Sequence, residues 1–363
     1  MKIDGSEYRS IWYDSAADTV NIIDQTCLPH EFKIQQLQSL QEACEAITHM
    51  QVRGAPLIGV TAVFGLYLAL KQDPLALFAA REKLLATRPT AVNLGWALEQ
   101  ASSQIDSVDA TDRADRALAL ACQMADKDVQ VCQAIGEHGL GLLRQIWQQK
   151  EDKSRPLNVL THCNAGALAT VDWGTALAVI YKAHLADIPL HVWVDETRPR
   201  NQGASLTCWE LEQQGIPYSL IVDNAGGHLM QIGEVDVCIV GSDRTTARGD
   251  VCNKIGTYLK ALAANDNGVP FYAAVPISSI DFSLTEGPNE IPIEERHPSE
   301  ITHISGIDGA GNPSTVRLTT QNAKVSNYGF DITPARLVSG IITEQGVFPA
   351  SAEGLAGINR DGS

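Results

Sequence analysis

The apolar positions of this chain keep two different rhythms, and the change falls near residue 150. Upstream, short β-like runs at residues 8–12 and 20–23, with a third at 27–32, predict a small antiparallel sheet. Ser39 with Glu42 three positions on has the form of a capping box, so a helix should start there and run through Ile47. Residues 51–55 break the pattern, and Pro56, tolerated in a first turn, opens a long apolar helix over 57–70. Residues 88–94 interrupt the next helical region, which resumes over 96–105. The stretch 111–149 reads as helical, broken near Gly136 and Gly139.

The charged run 150–155 before Pro156 marks the boundary between a first domain, 1–150, of small antiparallel sheet plus helices, and a second, 151–363. In the second, strand patterns at 157–161, 190–194, 218–222, 235–240 and 271–274 alternate with helix patterns at 173–184, 205–214, 225–230 and 255–264. That alternation predicts an α/β fold with a Rossmann-like parallel sheet. A Pro-rich acidic loop comes next at 288–296, then a strand near 315–318. Thr333 and Pro334 form a cap and first turn for a last helix reaching about residue 339, Ile341 and Ile342 enter an edge strand, and the tail 350–363 is expected to be mobile.

Composition narrows the function classes. A formal charge of −16 over 363 residues argues against a general affinity for nucleic acid or anionic membrane, and leaves local binding of a phosphate open. The opening MKIDGSEYRS is too polar for a signal peptide, and no apolar run reads as long enough to span a bilayer, so a cytoplasmic protein is expected. Eight cysteines without CxxC spacing read as reduced thiols, mostly core. With no GxGxxG after a strand and no Walker A sequence, neither a nicotinamide nor a nucleoside triphosphate cofactor is expected.

The candidate chemistry sits where strands end. Residues 235–240 are a buried-strand pattern, and Gly241, Ser242 and Asp243 come directly after it; Asn253 and Lys254 precede the next helix. Residues 157–161 have the same layout, continued by His162, Cys163, Asn164, Ala165 and Gly166. Cys163 and Asp243 are expected to face one cavity. Arg53, Gly54 and Ala55 just before Pro56 offer a guanidinium and free backbone N–H groups to an anion. His162 and Cys163, adjacent on an extended strand, should point apart rather than form a dyad. His228 is expected either to neighbour the cavity or to be a satisfied loop histidine, and Asp195 to Arg200 to line the cavity or a subunit contact. Asp236, Asp243 and Asp250 suggest a divalent ion only superficially, because no histidine joins them at ligand spacing, and no metal is expected.

Seven ordered blocks, RGAPLIGV from Arg53, RPTAVNL from Arg88, THCNAGALAT from Thr161, DETRPRNQGASLT from Asp195, DNAGGHLM from Asp223, GSDRTTARGDVCNKIGTY from Gly241 and VPFYAAVPISSID from Val269, resemble the methylthioribose-1-phosphate isomerase family over nearly the whole chain. The resemblance implies a homodimer without a redox cofactor that converts 5-methylthioribose 1-phosphate to 5-methylthioribulose 1-phosphate in methionine salvage. It implies catalysis by Cys163, acting at C1 and C2, and by Asp243 as proton donor. It implies substrate binding by Arg53, Gly54, Ala55, Arg88, Gln202, Asn253 and Lys254. Ser242, where the family pattern has Ala, and Arg248, where it has Asn, depart from it, and Arg248 is expected to add charge at the cavity mouth. Two alternatives stay open: a ribose-1,5-bisphosphate isomerase, and a non-catalytic subunit like the translation-factor relatives of the same superfamily.

Overall fold

The computed structural model describes residues 1–88 and 92–359. The chain opens with a hairpin, β1 (Lys2–Ile3) and β2 (Ser6–Glu7), and a three-stranded antiparallel sheet, β3 (Ile11–Asp14), β4 (Thr19–Ile23) and β5 (Ile34–Leu37). The third strand therefore falls on Ile34–Leu37 and not on 27–32. Its sequence IQQL hides the pattern because only Leu37 is buried, whereas 27–32 contains Pro29, which has no N–H to give a ladder. Helix α1 (Leu40–Thr48) starts as expected: Ser39 Oγ accepts from Glu42 N at 3.2 Å. The Glu42 carboxylate reaches back one residue further, to Gln38 N at 2.6 Å.

Four helices come next: α2 (Ala55–Gln72), α3 (Leu77–Leu85), α4 (Val92–Asp106) and α5 (Arg113–Gln149). Helix α4 is already helical at Val92, earlier than the expected 96, while residues 89–91 of the RPTAVNL block lie outside the described residues. One expectation about membranes needs correcting, since α2 is by length and composition apolar enough to span a bilayer. Its residues Leu57 through Leu70 are all buried against α1, α4 and α5, as befits the central helix of a core.

The 37-residue α5 is unbroken, contrary to the expected interruption at its glycines. Its first half, with Ala117, Leu120 and Ala121, packs into the core around α2; its second half, with Ile135, Leu140 and Leu143, packs under α6 (Ala176–Leu185). Gly136 and Gly139 are what allow that second contact. A Cβ on Gly136 would lie 3.0 Å from the Ala178 carbonyl oxygen, and one on Gly139 would overlap Val179. The glycines mark helix crossing, not helix ending.

Beyond α5 the strands β6 (Leu157–Thr161), β7 (Leu190–Asp195), β8 (Tyr218–Ile221) and β9 (Val237–Val240) enter one sheet, with α7 (Cys208–Gln213) and α8 (Ala225–Gln231) between them. Next come the hairpin β10 (Arg244–Thr246) and β11 (Val251–Lys254), helix α9 (Thr257–Asp266), β12 (Phe271–Ala274) and β13 (Ile280–Asp281). An exposed hairpin, β14 (His303–Ile307) and β15 (Pro313–Arg317), precedes β16 (Phe330–Thr333), β17 (Gly340–Thr343) and β18 (Gly346–Phe348). The seven-stranded sheet runs β18-β17-β12-β9-β6-β7-β8 and is parallel except for β18. Successive residues of β9 alternate faces: Val237 and Ile239 join the core under α6, while Cys238 and Val240 join the core under α9. A second, four-stranded sheet, β13-β10-β11-β16, stands against it.

Three expectations for the C-terminal part change. Thr333 ends a strand, after which the chain makes a single 3-10 turn, Ala335–Leu337, rather than a helix to 339. Ile341 and Ile342 lie one strand in from the edge, which is β18. The tail is anchored through residue 359: Ser351 caps a helical turn, Ala352–Leu355, and Leu355 and Ile358 are buried.

The packing role of the α5 glycines gives a paired test. Gly139→Ala should lower unfolding free energy by about 1–3 kcal/mol through overpacking. Gly141→Ala, on the same helix with no atom within 4 Å of the new methyl, should raise it by about 1 kcal/mol. Urea melts of both variants measure this; equal effects would show that the crossing does not depend on Gly139.

Candidate active site

In the seven-stranded sheet the chain order reverses between β6 and β9: β7 and β8 are added on one side of this pair, β12 and β17 on the other. The loops leaving two such neighbouring strands diverge and open a crevice, which is where open α/β sheets bind ligands. Cys163 lies just past β6 and Asp243 just past β9. Both line one cavity of about 800 Å³ of empty space, counting its open mouth. Arg53, Gly54, Ala55, Arg88, Gln202, Asn253 and Lys254 line the same cavity, so the nine catalytic and substrate-binding residues implied by the resemblance come together. Gly241 makes the convergence possible, because a Cβ there would lie 2.7 Å from Ala165 Cβ in the other loop.

Cys163 is held in a left-handed conformation, φ 67°, rare for a residue with a side chain. The loop after β7 over-determines it: Cys163 N donates to Thr197 Oγ1 at 2.8 Å, and Thr207 Oγ1 donates to Cys163 O at 2.7 Å. The sulfur lies 3.4 Å from Gln202 Oε1, to which its S–H donates. Burial pushes the thiol above its ordinary pKa, with Lys254 and Arg53 pulling less strongly in the other direction, so near neutrality it is a thiol rather than a thiolate.

Burial also drives the Asp243 carboxyl upward, against the pull of Lys254, Arg88 and Arg53. By surface area Asp243 is exposed, but the exposed side faces the cavity, whose walls surround the group. Its desolvation is therefore complete only when a ligand displaces the cavity water. The backbone fixes it through Asp243 N donating to Cys252 O at 2.9 Å, while among the described residues the carboxyl itself takes no hydrogen bond and is free to meet a ligand.

The cations come from elsewhere in the chain. Arg53 ends the segment before α2, and Gly54, at φ 94°, lies so close to Ala169 O that no side chain fits. The guanidinium of Arg53 donates from NH1 to Asn164 O at 2.9 Å, from NH2 to Asn164 Oδ1, and from Nε to Gln25 Oε1 at 3.2 Å. These partners are neutral, so its charge is oriented without being cancelled. Asn164 in turn donates to Glu210 Oε1 at 2.8 Å, and Glu210 also accepts from Ala167 N and Tyr181 Oη, which locks the loop after Cys163. Lys254 ends β11 with its ammonium 4.8 Å from the Phe330 ring centre. Among the described residues neither Arg53 nor Lys254 forms a salt bridge. Arg200 and Arg296, by contrast, also line the cavity but share Glu300, at 3.0 and 2.8 Å, and Arg88 leans on Glu294 at 3.6 Å.

Several sequence expectations separate here. His162 Nδ1 bonds Asp195 and its Nε2 bonds Ile255 O, so it forms no dyad with Cys163. Asp195 lies buried beneath the cavity, not on its wall, and of the charged loop it is Arg200 that lines it. His228 is not among the lining residues. Asp236 pairs with Lys150 at 2.6 Å at the other end of the sheet, and Asp250 accepts from Gly287 N and Ala335 N, so neither joins Asp243. Arg248 lines a separate surface cleft with Glu286 and Arg336 rather than the cavity mouth. Arg296, Met50 and Ser279 line the cavity unannounced by any pattern, Arg296 being one charge among several in its loop.

A second, contiguous hollow shares Gly54, Ala55, Arg88, Asp243 and Phe330 with the first, and adds the apolar Ile58, Leu85, Val92, Ile291 and Pro292 together with the charged Arg244 and Glu294. It gives the site an apolar annexe beside the carboxyl.

Comparison with known proteins decides the family. The Initiation factor 2 subunit family matches residues 51–350. A methylthioribose-1-phosphate isomerase of Rhodospirillum centenum is 57% identical over 99% of this chain and 96% of its own length. The chain belongs to the methylthioribose-1-phosphate isomerase family. Among solved structures, the 5-methylthioribose 1-phosphate isomerase of Pyrococcus horikoshii superposes with a TM-score of 0.82 at 38% identity, covering 97% of this chain and 95% of that one. The structure described as subunit delta of translation initiation factor eIF-2B from A. fulgidus gives 0.79 at 37% identity, covering 94% and 96%. The isomerase family and the initiation-factor structures thus share the α/β architecture seen here.

The raised pKa of Cys163 has a direct chemical consequence. Because the thiolate is the nucleophile, iodoacetamide near neutral pH should alkylate Cys163 more slowly than a free cysteine in solution. Mass spectrometry of the peptide containing Cys163 measures the rate; labelling faster than the free thiol would mean that the nearby cations outweigh burial.

Proposed function

We propose that this chain isomerises 5-methylthioribose 1-phosphate to 5-methylthioribulose 1-phosphate, with Asp243 and Cys163 as its catalytic groups. The observation that carries the reading is the shared cavity: an acid with a raised pKa and a thiol face each other's loops at the point where the sheet reverses. Phosphate on the anomeric oxygen locks this sugar as a ring, so a proton donor at the ring oxygen must open it. Asp243 gives its proton to the ring oxygen as the C1–O bond breaks. Hydrogen then moves with its electron pair from C2 to the electron-poor C1, the C2 hydroxyl becomes the ketone, and its proton returns to Asp243. A neutral Cys163 beside C1 and C2 suits this hydride route better than proton abstraction, for which a thiol with a raised pKa is a poor base. Arg53 and Lys254, charged and unpaired, hold the phosphate, assisted by the amides at the start of α2. Gln202, Asn253 and Arg88 are placed for the ribose hydroxyls.

The annexe favours the methylthio sugar over ribose 1,5-bisphosphate. Ile58, Leu85, Val92, Ile291 and Pro292 suit a thioether, and the two arginines that also line it, Arg88 and Arg244, have carboxylate partners in Glu294 and Asp281. A second reading, a non-catalytic translation-factor subunit, draws on the similarity to the A. fulgidus structure. An assay of purified protein with each sugar and no added cofactor separates the three: turnover of the methylthio sugar alone is expected, preference for the bisphosphate would overturn the substrate, and no turnover of either would favour the subunit.

Asp243→Asn should cost about 10²–10⁴ in kcat, the usual worth of a placed general acid, with the fold retained. Cys163→Ser should also lower kcat strongly. Since the acid form of Asp243 is the active one, kcat should fall as pH rises through its elevated pKa, and this alkaline limb should be absent from Asp243→Asn; a limb unchanged in the variant would remove Asp243 from the acid role. With substrate deuterated at C2, the label should be retained at C1 of the product, and solvent hydrogen appearing there would replace the hydride route by proton transfer.

A further inference from the structure

Directly beneath the cavity lies a buried polar chain that the reaction above does not use. His162, fully buried, has Nδ1 at 2.8 Å from Asp195 Oδ2 and Nε2 at 2.9 Å from the carbonyl oxygen of Ile255. Both partners are acceptors, and a carbonyl has no hydrogen to offer. Nε2 must therefore carry a proton. Nδ1 faces a carboxylate that also binds the Lys260 ammonium at 3.2 Å, so moving the Nδ1 proton onto Asp195 would leave Lys260 without its counter-charge. A hydrogen on each ring nitrogen would satisfy both contacts. Asp331, on the neighbouring β16, adds negative charge from the other side while accepting from Gly256 N and Tyr258 N. Asp223, the remaining carboxylate nearby, has its two oxygens taken by Thr197 N and Arg198 N. His162, Asp195 and Asp223 lie close enough together to suggest a metal, but both His162 nitrogens and both Asp223 oxygens are engaged, and although Asp195 Oδ1 is buried without a partner among the described residues, Lys260 supplies the cation at Oδ2.

The position of this ring matters more than its charge alone. His162 leaves β6 of the seven-stranded sheet and is bonded in sequence to Cys163; Ile255 leaves β11 of the four-stranded sheet and is bonded in sequence to Lys254. Gly256, at φ 103°, has no side chain, and a Cβ there would lie 3.1 Å from the imidazole Cε1, so the turn packs closely against the Cε1 and Nε2 atoms of the ring. We propose that His162 is a positioning residue: as an imidazolium spanning the two sheets, it sets the distance between the Cys163 loop and the Lys254 turn. The ring lies against the cavity wall, but its nitrogens are both spent on protein acceptors, so it has no N–H to offer a substrate and acts through its neighbours. The kinetic half of this claim rests on the isomerase reading; the protonation half does not.

Two measurements test it. In full-length protein labelled with ¹⁵N-histidine, at neutral pH, one imidazole should show two exchange-protected N–H protons correlated to the same Hε1. If every protected ring shows a single N–H, the imidazolium is refuted, whatever the enzyme's substrate. In the second, His162→Gln keeps an N–H donor toward Ile255 and gives up Asp195. In variant protein shown to be folded by circular dichroism, kcat for the methylthio sugar should fall roughly 10²-fold, the scale of a misplaced reacting group, while KM changes little. A general weakening of the structure would instead lower the melting temperature and leave kcat per folded molecule intact, and that result, like an unchanged kcat, overturns the positioning role. Should the variant not fold, the protonation state read from the unmutated protein still decides the first half. Absence of turnover in the unmutated protein would count against the isomerase reading and leave the two-proton signal to stand or fall by itself.

Discussion

Two strands lie side by side and send the chain in opposite directions, and the rest of the site depends on that arrangement. Where β6 and β9 end, their loops part, and the gap between them opens the crevice. Gly241 against Ala165 keeps the loops in contact at their base, so that Cys163 and Asp243 open onto a common space. The left-handed backbone at Cys163 is the local strain that turns its side chain into that space, and Thr197 and Thr207 hold it there. Helix α2 then delivers Arg53 from the other end of the sequence, because its apolar length can be buried only in the core beside the sheet domain.

Charge in the cavity runs against the charge of the chain. With a formal −16 overall, the protein still presents two cations, Arg53 and Lys254, whose contacts are neutral or aromatic, while the other arginines around the cavity are matched by Glu294 and Glu300. An unmatched buried cation costs several kcal/mol of folding stability, and an arriving phosphate offsets that cost. The same walls that make an anion welcome push the Asp243 carboxyl upward from its ordinary pKa, since desolvation outweighs the pull of the cations. The proposed anion capture and acid catalysis thus draw on one walled, positively lined space.

How far this could be read from sequence depended on how local each determinant is. Strand β6 was legible to the residue because it is apolar on both faces and ends abruptly in His162 and Cys163. β5 was not, since three of its four side chains face away from the core. The four-stranded sheet was also missed: β10 and β13 are only three and two residues long, and although β10 pairs locally with β11, the outer pairings of β10 with β13 and of β11 with β16 join segments far apart along the chain. Gly136 and Gly139 looked like breaks because a close helix crossing and a helix end call for the same residue, and only Val179 and Ala178 distinguish them. Gln202 and Arg88 were nameable only by family resemblance, as nothing in their local pattern points inward. Arg296 escaped altogether, one charge in a charged loop until Glu300 and the cavity give it a place.

Neutrality of the Asp243 carboxyl in the occupied site is the claim on which the proposed reaction turns. Infrared difference spectroscopy of the complex with an unreactive sugar-phosphate analogue, wild type against Asp243→Asn, observes it directly. A protonated-carboxyl C=O band is expected near neutral pH, and the substitution should remove it. A wild-type spectrum in which the substitution removes only carboxylate bands would contradict that neutrality.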